Sequence, residues 1–241
     1  MKKLALVTGG TRGIGNAISK KLKEDGYEVV STFIGHPESA EKFSQETGIK
    51  TYKFDVAYFE SCKEGVEKIE QDFGKNIDIL INNAGITKDR FLHKMSPDEW
   101  NAVINTNLNS VFNMTRNVIE KMRNNKFGRI INISSINGLK GQIGQANYSA
   151  AKAGLIGFSK AIAQENANKG ITVNVIAPGY VGTDMVKKID EKILQGIVSL
   201  IPVGRLAEPS EIAALTSYLV GDNSGFITGA TFSINGGQYM Q

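Results

Sequence analysis

The sequence contains a single cysteine, Cys62, and only 5 prolines among its 241 residues. One cysteine cannot form an intrachain disulfide, so the chain fits a reducing compartment and we expect a cytoplasmic protein. No apolar run approaches the roughly 18–20 residues that cross a bilayer. The apolar run at residues 4–7 is also too short for the core of a signal peptide. These absences predict a protein with no disulfide framework and no membrane partner.

Positive charge is in slight excess. The 28 Lys and Arg residues against 24 Asp and Glu give a formal net charge of +4. The lysines are scattered and no stripe alternates basic with aromatic residues, so we expect no nucleic-acid partner. The two histidines, His36 and His93, have no metal-ligand spacing, and we expect no metal site. The 26 glycines belong to no repeat, and such glycines serve tight turns between strands and helices.

Short apolar runs alternate with longer amphipathic segments from one end of the chain to the other. This alternation predicts an α/β protein with a doubly wound parallel sheet of about seven strands and helices on both faces. No internal linker interrupts it, so residues 1–241 are interpreted as one domain. Ligands of such folds bind beyond the carboxyl ends of the strands. The predicted strands cover residues 4–7, 28–32, 50–54, 77–81, 130–134, 172–177 and 232–234.

Two long helical segments are predicted in the middle of the chain, at 97–122 and 146–166. Ser96 is the expected N-cap of the first, with Pro97 in the first turn and Glu99 completing a capping box. Apolar side chains at helical spacing support the second. Shorter helices are expected to end at residue 25 and to cover 39–45, 60–73, 189–198 and 210–219.

A glycine-rich turn, TGGTRGIG at residues 8–15, follows the first predicted strand. Gly9, Gly13 and Gly15 would let the backbone approach a pyrophosphate at the positive end of a helix. The spacing has one residue more than G-x-G-x-x-G between its first two glycines, and a turn used only for packing is the alternative. Residues 31–35, at the end of the second predicted strand, hold no carboxylate, and Arg12 lies in the loop. Both features favour NADP(H) over NAD(H), unless Arg12 is merely an exposed side chain.

Tyr148 and Lys152 are four residues apart on the helix predicted for 146–166 and so share one face. An ammonium near a phenol lowers the pKa of the phenol, which would make Tyr148 a usable proton donor. Spacing alone does not separate this pair from an ordinary surface pair. The functional interpretation of the pair is strengthened by polar segments that follow neighbouring strands at the same edge of the sheet. These are residues 82–85, Ser134 with Ser135, and residues 178–181.

These segments carry a resemblance that covers residues 3–240. The motifs TGGTRGIG, NNAG, NTNL, NISS, YSAAK and PGYVGTD are similar, in order and spacing, to those of the short-chain dehydrogenase/reductase family. The resemblance implies a single-domain Rossmann fold and a catalytic tetrad of Asn107, Ser135, Tyr148 and Lys152. Tyr148 would protonate the alkoxide, Ser135 would bond the carbonyl, Lys152 would hold the nicotinamide ribose, and Asn107 would help hold a relay water.

The resemblance also implies the cofactor contacts. The pyrophosphate loop, the adenosine contacts, the active-site pair and the segment that covers the nicotinamide make up the expected NADP(H) set. Its members are Gly9, Thr11, Arg12, Gly13, Ile14, Gly15, Asp55, Val56, Asn83, Ala84, Gly85, Tyr148, Lys152, Pro178, Gly179, Val181 and Thr183.

Within the family, residues 86–100 resemble the reductases of 3-oxoacyl thioesters, and residues 136–155 and 232–240 are nearest to those acting on acetoacetyl-CoA. The resemblance implies the NADPH-dependent reduction of a 3-oxoacyl thioester, namely acetoacetyl-CoA to 3-hydroxybutyryl-CoA, with a substrate carried by acyl carrier protein as the alternative. The other possibilities are another carbonyl substrate for the same tetrad, or a non-catalytic NADP-binding sensor. The two long helices resemble subunit-contact helices, so a homotetramer is expected. The expected substrate contacts are Asp89, Ser135, Gln142, Gln145, Tyr148, Gly179 and Tyr180.

Overall fold

The computed structural model describes residues 2–183, 186 and 190–240. Those residues form one seven-stranded sheet in the order β3-β2-β1-β4-β5-β6-β7, with every neighbouring pair parallel. The doubly wound α/β architecture predicted from the sequence is confirmed. The strands are β1 Leu4–Val7, β2 Glu28–Phe33, β3 Lys50–Lys53, β4 Ile79–Asn82, β5 Gly128–Ile133, β6 Ile171–Pro178 and β7 Thr231–Ile234.

The first strand shows why the sheet is covered on both faces. All four of its residues are fully buried, because successive side chains of a strand point to opposite faces and a helical layer covers each. Ala5 and Val7 belong to one apolar core, and Leu4 and Leu6 belong to the other. A continuous apolar run, rather than an alternating one, is therefore the sequence signature of this central strand.

Nine α-helices surround the sheet in the described part of the chain. Helices α1, α2 and α9 contribute side chains to the core on one face, and α3, α5 and α7 contribute to the core on the other. None of these helices is long and apolar enough to cross a membrane. Their bounds are α1 Gly13–Glu24, α2 Pro37–Thr47, α3 Phe59–Phe73, α4 Pro97–Ile104, α5 Ser110–Asn125, α6 Ile136–Lys140, α7 Ala146–Asn166, α8 Glu191–Ser199 and α9 Pro209–Val220.

The single helix predicted for 97–122 is divided in the structure. Its start is confirmed: the Ser96 hydroxyl accepts from the Glu99 amide at 3.1 Å, and the Glu99 carboxylate accepts from the Ser96 amide at 2.9 Å. One wide π-helical turn, Asn105–Asn109, then separates α4 from α5. Such a turn inserts a residue without ending the helix, and apolar periodicity does not reveal it.

Two smaller differences concern the edges of the site. The fifth strand ends at Ile133, so Ser134 and Ser135 lead out of it into the short helix α6, which the sequence did not predict. Helix α8 begins at Glu191, and the expected start at residue 189 lies outside the described residues. The strand order reverses between β1 and β4, and the carboxyl ends on either side of that switch point frame the crevice in which such folds bind ligands.

Candidate active site

The loop between β1 and α1 is folded tightly on itself. Gly9 and Gly13 have φ angles of 61° and 53°, in the left-handed region that favours glycine. At Gly15 a Cβ atom would lie 2.3 Å from the Gly9 carbonyl oxygen, which no side chain tolerates. The glycines predicted to form a tight loop are therefore required by the backbone path itself.

The first turn of α1 is left open toward this loop. Arg12 precedes the helix in an extended conformation, no side chain caps the helix, and no acidic residue lies in its first turn. The amide groups at a helix start carry partial positive charge and need acceptors. An uncapped, carboxylate-free helix start behind a glycine loop fits a pyrophosphate group, as the sequence predicted.

Hydrogen bonds join this loop to the segment after β4. The Thr8 hydroxyl oxygen accepts from the amides of Asn83 and Ala84, each at 3.0 Å. The Asn83 side-chain amide donates to the carbonyl oxygens of Thr8 and Gly9, at 2.9 Å and 3.2 Å. Two segments that the sequence predicted to contact the cofactor are thus joined by hydrogen bonds into one surface.

The strand β2 ends beside the same loop. The Thr32 hydroxyl and carbonyl oxygens accept from the amides of Gly9 and Gly10, at 3.3 Å and 3.1 Å. Beyond the strand, Ile34 is 57% exposed, and His36 adopts a left-handed backbone immediately before α2. Arg12, two residues after Gly10 in the loop, is exposed. The end of β2 carries no carboxylate, so no negative charge there would repel a phosphate.

Asp55 and Val56, the predicted adenine contacts, follow β3. The Asp55 carboxylate accepts from the Ala57 amide at 2.9 Å, and the Val56 carbonyl accepts from the Asn113 side chain at 3.0 Å. Asn113 belongs to α5 and is buried. The backbone path after β3 is therefore set by a side chain from a helix 57 residues further along the chain.

Lys152 is buried on α7 and is fastened to the end of β5. Its ammonium donates to the Ile133 carbonyl oxygen at 2.7 Å, and the Ser134 hydroxyl donates to the Lys152 carbonyl oxygen at 2.8 Å. Burial lowers the pKa of Lys152 to about 8. Of the adjacent serines, Ser134 is thus committed to holding the helix, which leaves Ser135 for the site.

Asn107 reaches the same place from the π-helical turn. It is buried, its side-chain oxygen accepts from the Ile86 amide, and its side-chain nitrogen donates to the Ile86 carbonyl, both at 2.8 Å. A Cβ atom on Gly85 would be 3.2 Å from the Asn107 oxygen and 3.7 Å from the Lys152 nitrogen. Asn107 and Lys152 therefore meet over Gly85, where a larger residue would intrude.

Ser135 and Tyr148 complete the group predicted from the sequence. Ser135 is the N-cap of α6, and its hydroxyl oxygen accepts from the Asn137 amide at 3.1 Å. Tyr148 is in the first turn of α7, and the Lys152 ammonium lies 5.6 Å from the centroid of its ring. The structure thus gathers Asn107, Ser135, Tyr148 and Lys152 from three elements, the π-helical turn, the start of α6 and α7, at one edge of the sheet.

One electrostatic prediction is wrong. We expected Lys152 to lower the pKa of Tyr148, but burial raises the pKa of Tyr148, and the Ser135 side chain, a hydrogen-bond partner of the phenol, only partly opposes this. The Lys152 ammonium donates to the Ile133 carbonyl instead of the phenol. The consequence is chemical: Tyr148 stays a neutral phenol, the protonation state that a proton donor needs.

The expected substrate contacts are only partly brought together. The Gln145 amide donates to the Asp89 carboxylate at 2.8 Å, whereas the Gln142 oxygen accepts from Lys140 at 3.1 Å in an exposed loop. Gly179 and Tyr180 follow β6 and are held by backbone hydrogen bonds to Ile234 and Ala207, both at 2.9 Å. Of the motif at 178–184, the last residue, Asp184, lies outside the described residues.

Three buried asparagines shape this site and were not selected from the sequence. Besides Asn113, Asn137 donates from its side chain to Gln145 at 3.0 Å. Asn147 donates to the carbonyls of Lys88 and Glu99, at 3.1 Å and 3.2 Å. A buried asparagine is unusual, but burial is not visible in one sequence. In the described ranges, no group of three His, Cys, Asp or Glu residues is arranged to hold a metal.

Comparison with known proteins identifies the family of the chain. The sequence profile of the short chain dehydrogenases matches residues 3–194, most of the chain. The chain belongs to the short-chain dehydrogenase family. It is consequently an oxidoreductase that acts on a CH–OH group and works with a nicotinamide cofactor.

Individual members of the family match over their full length. An acetoacetyl-CoA reductase of Shinella zoogloeoides is 61% identical over 241 residues, 100% of both chains. An acetoacetyl-CoA reductase of Rhizobium meliloti (strain 1021) is 56% identical over the same span of both. A 3-oxoacyl-[acyl-carrier-protein] reductase of Haemophilus influenzae is 46% identical, with 99% of this chain and 98% of the relative covered.

Proposed function

We propose that this short-chain dehydrogenase reduces a 3-oxoacyl thioester with NADPH, converting acetoacetyl-CoA to 3-hydroxybutyryl-CoA. The observation that carries the reaction type is the meeting of Asn107, Ser135, Tyr148 and Lys152 beside the glycine loop. The thioester is inferred from the relatives, since the two acetoacetyl-CoA reductases at 61% and 56% identity are more similar to this chain than the reductase named for the acyl carrier protein, at 46%.

The side chains divide the chemistry among them. The Ser135 hydroxyl donates a hydrogen bond to the 3-oxo group and polarises it. Tyr148, kept neutral by burial, gives its proton to the oxygen as the carbonyl carbon is reduced. The nicotinamide, when bound, supplies the hydride. Lys152 holds the nicotinamide ribose, and Asn107 fixes the backbone of Ile86 and helps hold a relay water.

The acyl group is proposed to lie among Asp89, Gln142, Gln145 and Tyr180. Gln145 is anchored on the Asp89 carboxylate, so the loop before α4 and the loop before α7 close on the acyl chain as one unit. A backbone bond from the Arg90 amide to the Gly144 carbonyl, at 2.8 Å, ties the same two loops. Gln142, which is bound to Lys140, would have to exchange that partner for the substrate.

Side-by-side rates of NADPH oxidation with acetoacetyl-CoA and with acetoacetyl-acyl carrier protein test the proposal. We expect turnover with acetoacetyl-CoA and a lower kcat/KM with the carrier-protein thioester. The reverse order would assign the enzyme to carrier-bound substrates. Binding of NADPH without turnover of either thioester would favour another carbonyl substrate or a sensor of the cofactor, and would overturn the proposal.

Arg12 tests the preference for NADPH. We expect Arg12→Ala to lower kcat/KM for NADPH about tenfold or more, because a charge-assisted hydrogen bond to the 2′-phosphate is lost. The value for NADH should change less than about threefold, since NADH has no such phosphate. Steady-state kinetics with both cofactors measure this, with the exposed Lys20→Ala as the matched control on α1. Equal losses with the two cofactors would contradict a 2′-phosphate contact.

We extend the proposal to a cytoplasmic homotetramer. The lone Cys62 is free and buried, which suits a reducing compartment. Aromatic side chains remain exposed on the helices expected to form subunit contacts, with Trp100 37% and Phe112 52% accessible, and Phe59 packs against Phe112. Sedimentation velocity should give about four times the chain mass of 26.1 kDa. A monomer at micromolar concentration would contradict this assembly.

A further inference from the structure

Three side chains form a chain of hydrogen bonds that ends at the Ser135 hydroxyl. The Asp89 carboxylate accepts from the Gln145 amide nitrogen at 2.8 Å. The Gln145 oxygen in turn accepts from the Asn137 side-chain nitrogen at 3.0 Å. The backbone amide of Asn137 donates to the Ser135 hydroxyl oxygen at 3.1 Å. We call Asp89, Gln145 and Asn137 the amide relay.

The direction of this relay follows from the charge at its outer end. An ionised carboxylate only accepts hydrogen bonds, so Gln145 must turn its nitrogen toward Asp89 and its oxygen toward Asn137. Asn137 must then turn its nitrogen toward Gln145. The orientations of both amides are thereby fixed by one exposed carboxylate.

In this orientation the side-chain oxygen of Asn137 has no hydrogen-bond donor among the described residues. Asn137 is only 9% exposed, and this oxygen is buried. An unpaired buried acceptor costs about 1–3 kcal/mol, and such a group calls for an explanation beyond packing. An apolar side chain of similar size would fill the same space without that cost. Stability therefore does not explain an amide at this position.

We propose that Asn137 is a positioning residue for the carbonyl-activating hydroxyl of Ser135, with its amide orientation set by Asp89 through Gln145. The inference rests on the proposed function, in which Asp89 and Gln145 lie in the acyl pocket. It links the pocket to the catalytic hydroxyl: the Gln145–Asn137 bond holds the first turn of α6, and that turn presents the backbone amide which holds Ser135 in place.

The proposal predicts that activity and stability separate in Asn137→Val. We expect kcat with acetoacetyl-CoA to fall about fivefold to tenfold, the effect of losing one hydrogen bond. KM for NADPH should stay within about twofold, and Tm should equal or exceed that of the wild type because the buried acceptor is gone. Asn137→Ala serves as a second variant should the valine fail to fold. Gln45→Ala, which removes an exposed amide–carboxylate pair at Glu41, is the control.

Asp89→Asn tests the direction of the relay. An asparagine can donate as well as accept, so Gln145 is free to turn over and the orientation of Asn137 is lost. We expect kcat to fall by a similar factor, and the double variant Asp89→Asn with Asn137→Val to fall no further. Multiplying losses would show that the two residues act independently and would overturn the relay.

A spectroscopic readout keeps the inference separate from the choice of substrate. The hydrogen bond from Ser135 favours the phenolate of Tyr148, so a misplaced Ser135 should raise the pKa of Tyr148 further. Tyrosinate absorbance, assigned to Tyr148 by subtraction of the Tyr148→Phe protein, should shift to higher pH in Asn137→Val. If the wild type reduced neither thioester, the proposed function would fail while this shift could still appear. An unshifted titration, or a lower Tm, would overturn the role of Asn137.

Discussion

Tyr148→Phe should lower kcat/KM for acetoacetyl-CoA by about 100-fold to 10,000-fold, the range typical for loss of a general acid. The variant removes one oxygen from a group that burial keeps protonated. NADPH binding, measured by the quenching or enhancement of cofactor fluorescence, should change little, because the ring and Lys152 remain.

The matched control is Tyr218→Phe. Tyr218 lies on α9 and is 54% exposed, so it reports what the loss of a hydroxyl costs away from the crevice. Its kcat/KM should equal that of the wild type. A Tyr148→Phe enzyme with more than about a tenth of wild-type turnover would show that another group donates the proton, and the assignment of the acid would be wrong.

Lys152→Met is expected to abolish activity and leave the fold as stable as before or more stable. Activity should fall at least about 1000-fold, because the cation that holds the nicotinamide ribose is lost. A fall in the pKa from 10.5 to about 8 corresponds to about 3 kcal/mol of burial cost at neutral pH. The Ile133 carbonyl loses its donor in the variant, which costs about 1–3 kcal/mol. The free energy of unfolding at pH 7 should therefore be unchanged or higher by up to about 2 kcal/mol.

The difference in unfolding free energy between the wild type and Lys152→Met should depend on pH in a definite direction. Below pH 8 the lysine is charged in both the folded and the unfolded chain, so the folded protein bears the full cost of burial. Between pH 8 and 10.5 the folded protein has lost the proton and the unfolded chain still carries it, so wild-type stability rises relative to the variant. Urea unfolding at several pH values should show the stability of the variant relative to the wild type falling by about 3 kcal/mol across this window.

The exposed Lys160→Met on the same helix is the control, and it should change neither activity nor the pH profile. A Lys152→Met protein that is less stable by several kcal/mol at pH 7 would mean that the buried ammonium stabilises the fold. That outcome would contradict the cost assigned to its burial. Retained turnover would separately exclude Lys152 from the reaction.

Features that depend on neighbouring residues in the chain could be predicted from the sequence. The capping box at Ser96 and Glu99, the glycine loop and the helix at 146–166 depend on neighbours within four residues, and the structure has all three. The same holds for Tyr148 and Lys152, whose shared helix face follows from their spacing. Local signals do not single out Asn107 and Ser135, because several other asparagines and a second serine lie nearby in the chain. These two residues were selected by the resemblance to the family motifs.

The sequence by itself determined the alternating strands and helices, the parallel sheet and the loop that faces its carboxyl edge, since these follow from periodicity and chain direction. Only the tertiary structure decided which polar groups form hydrogen bonds that hold the fold together and which face the site. It commits Ser134 to the Lys152 carbonyl, turns the Lys152 ammonium to Ile133, and buries Tyr148 so that the pKa of its phenol rises. The physical reason is that burial and the choice among hydrogen-bond partners depend on residues that are distant in the chain and become neighbours only when the sheet and its helices pack.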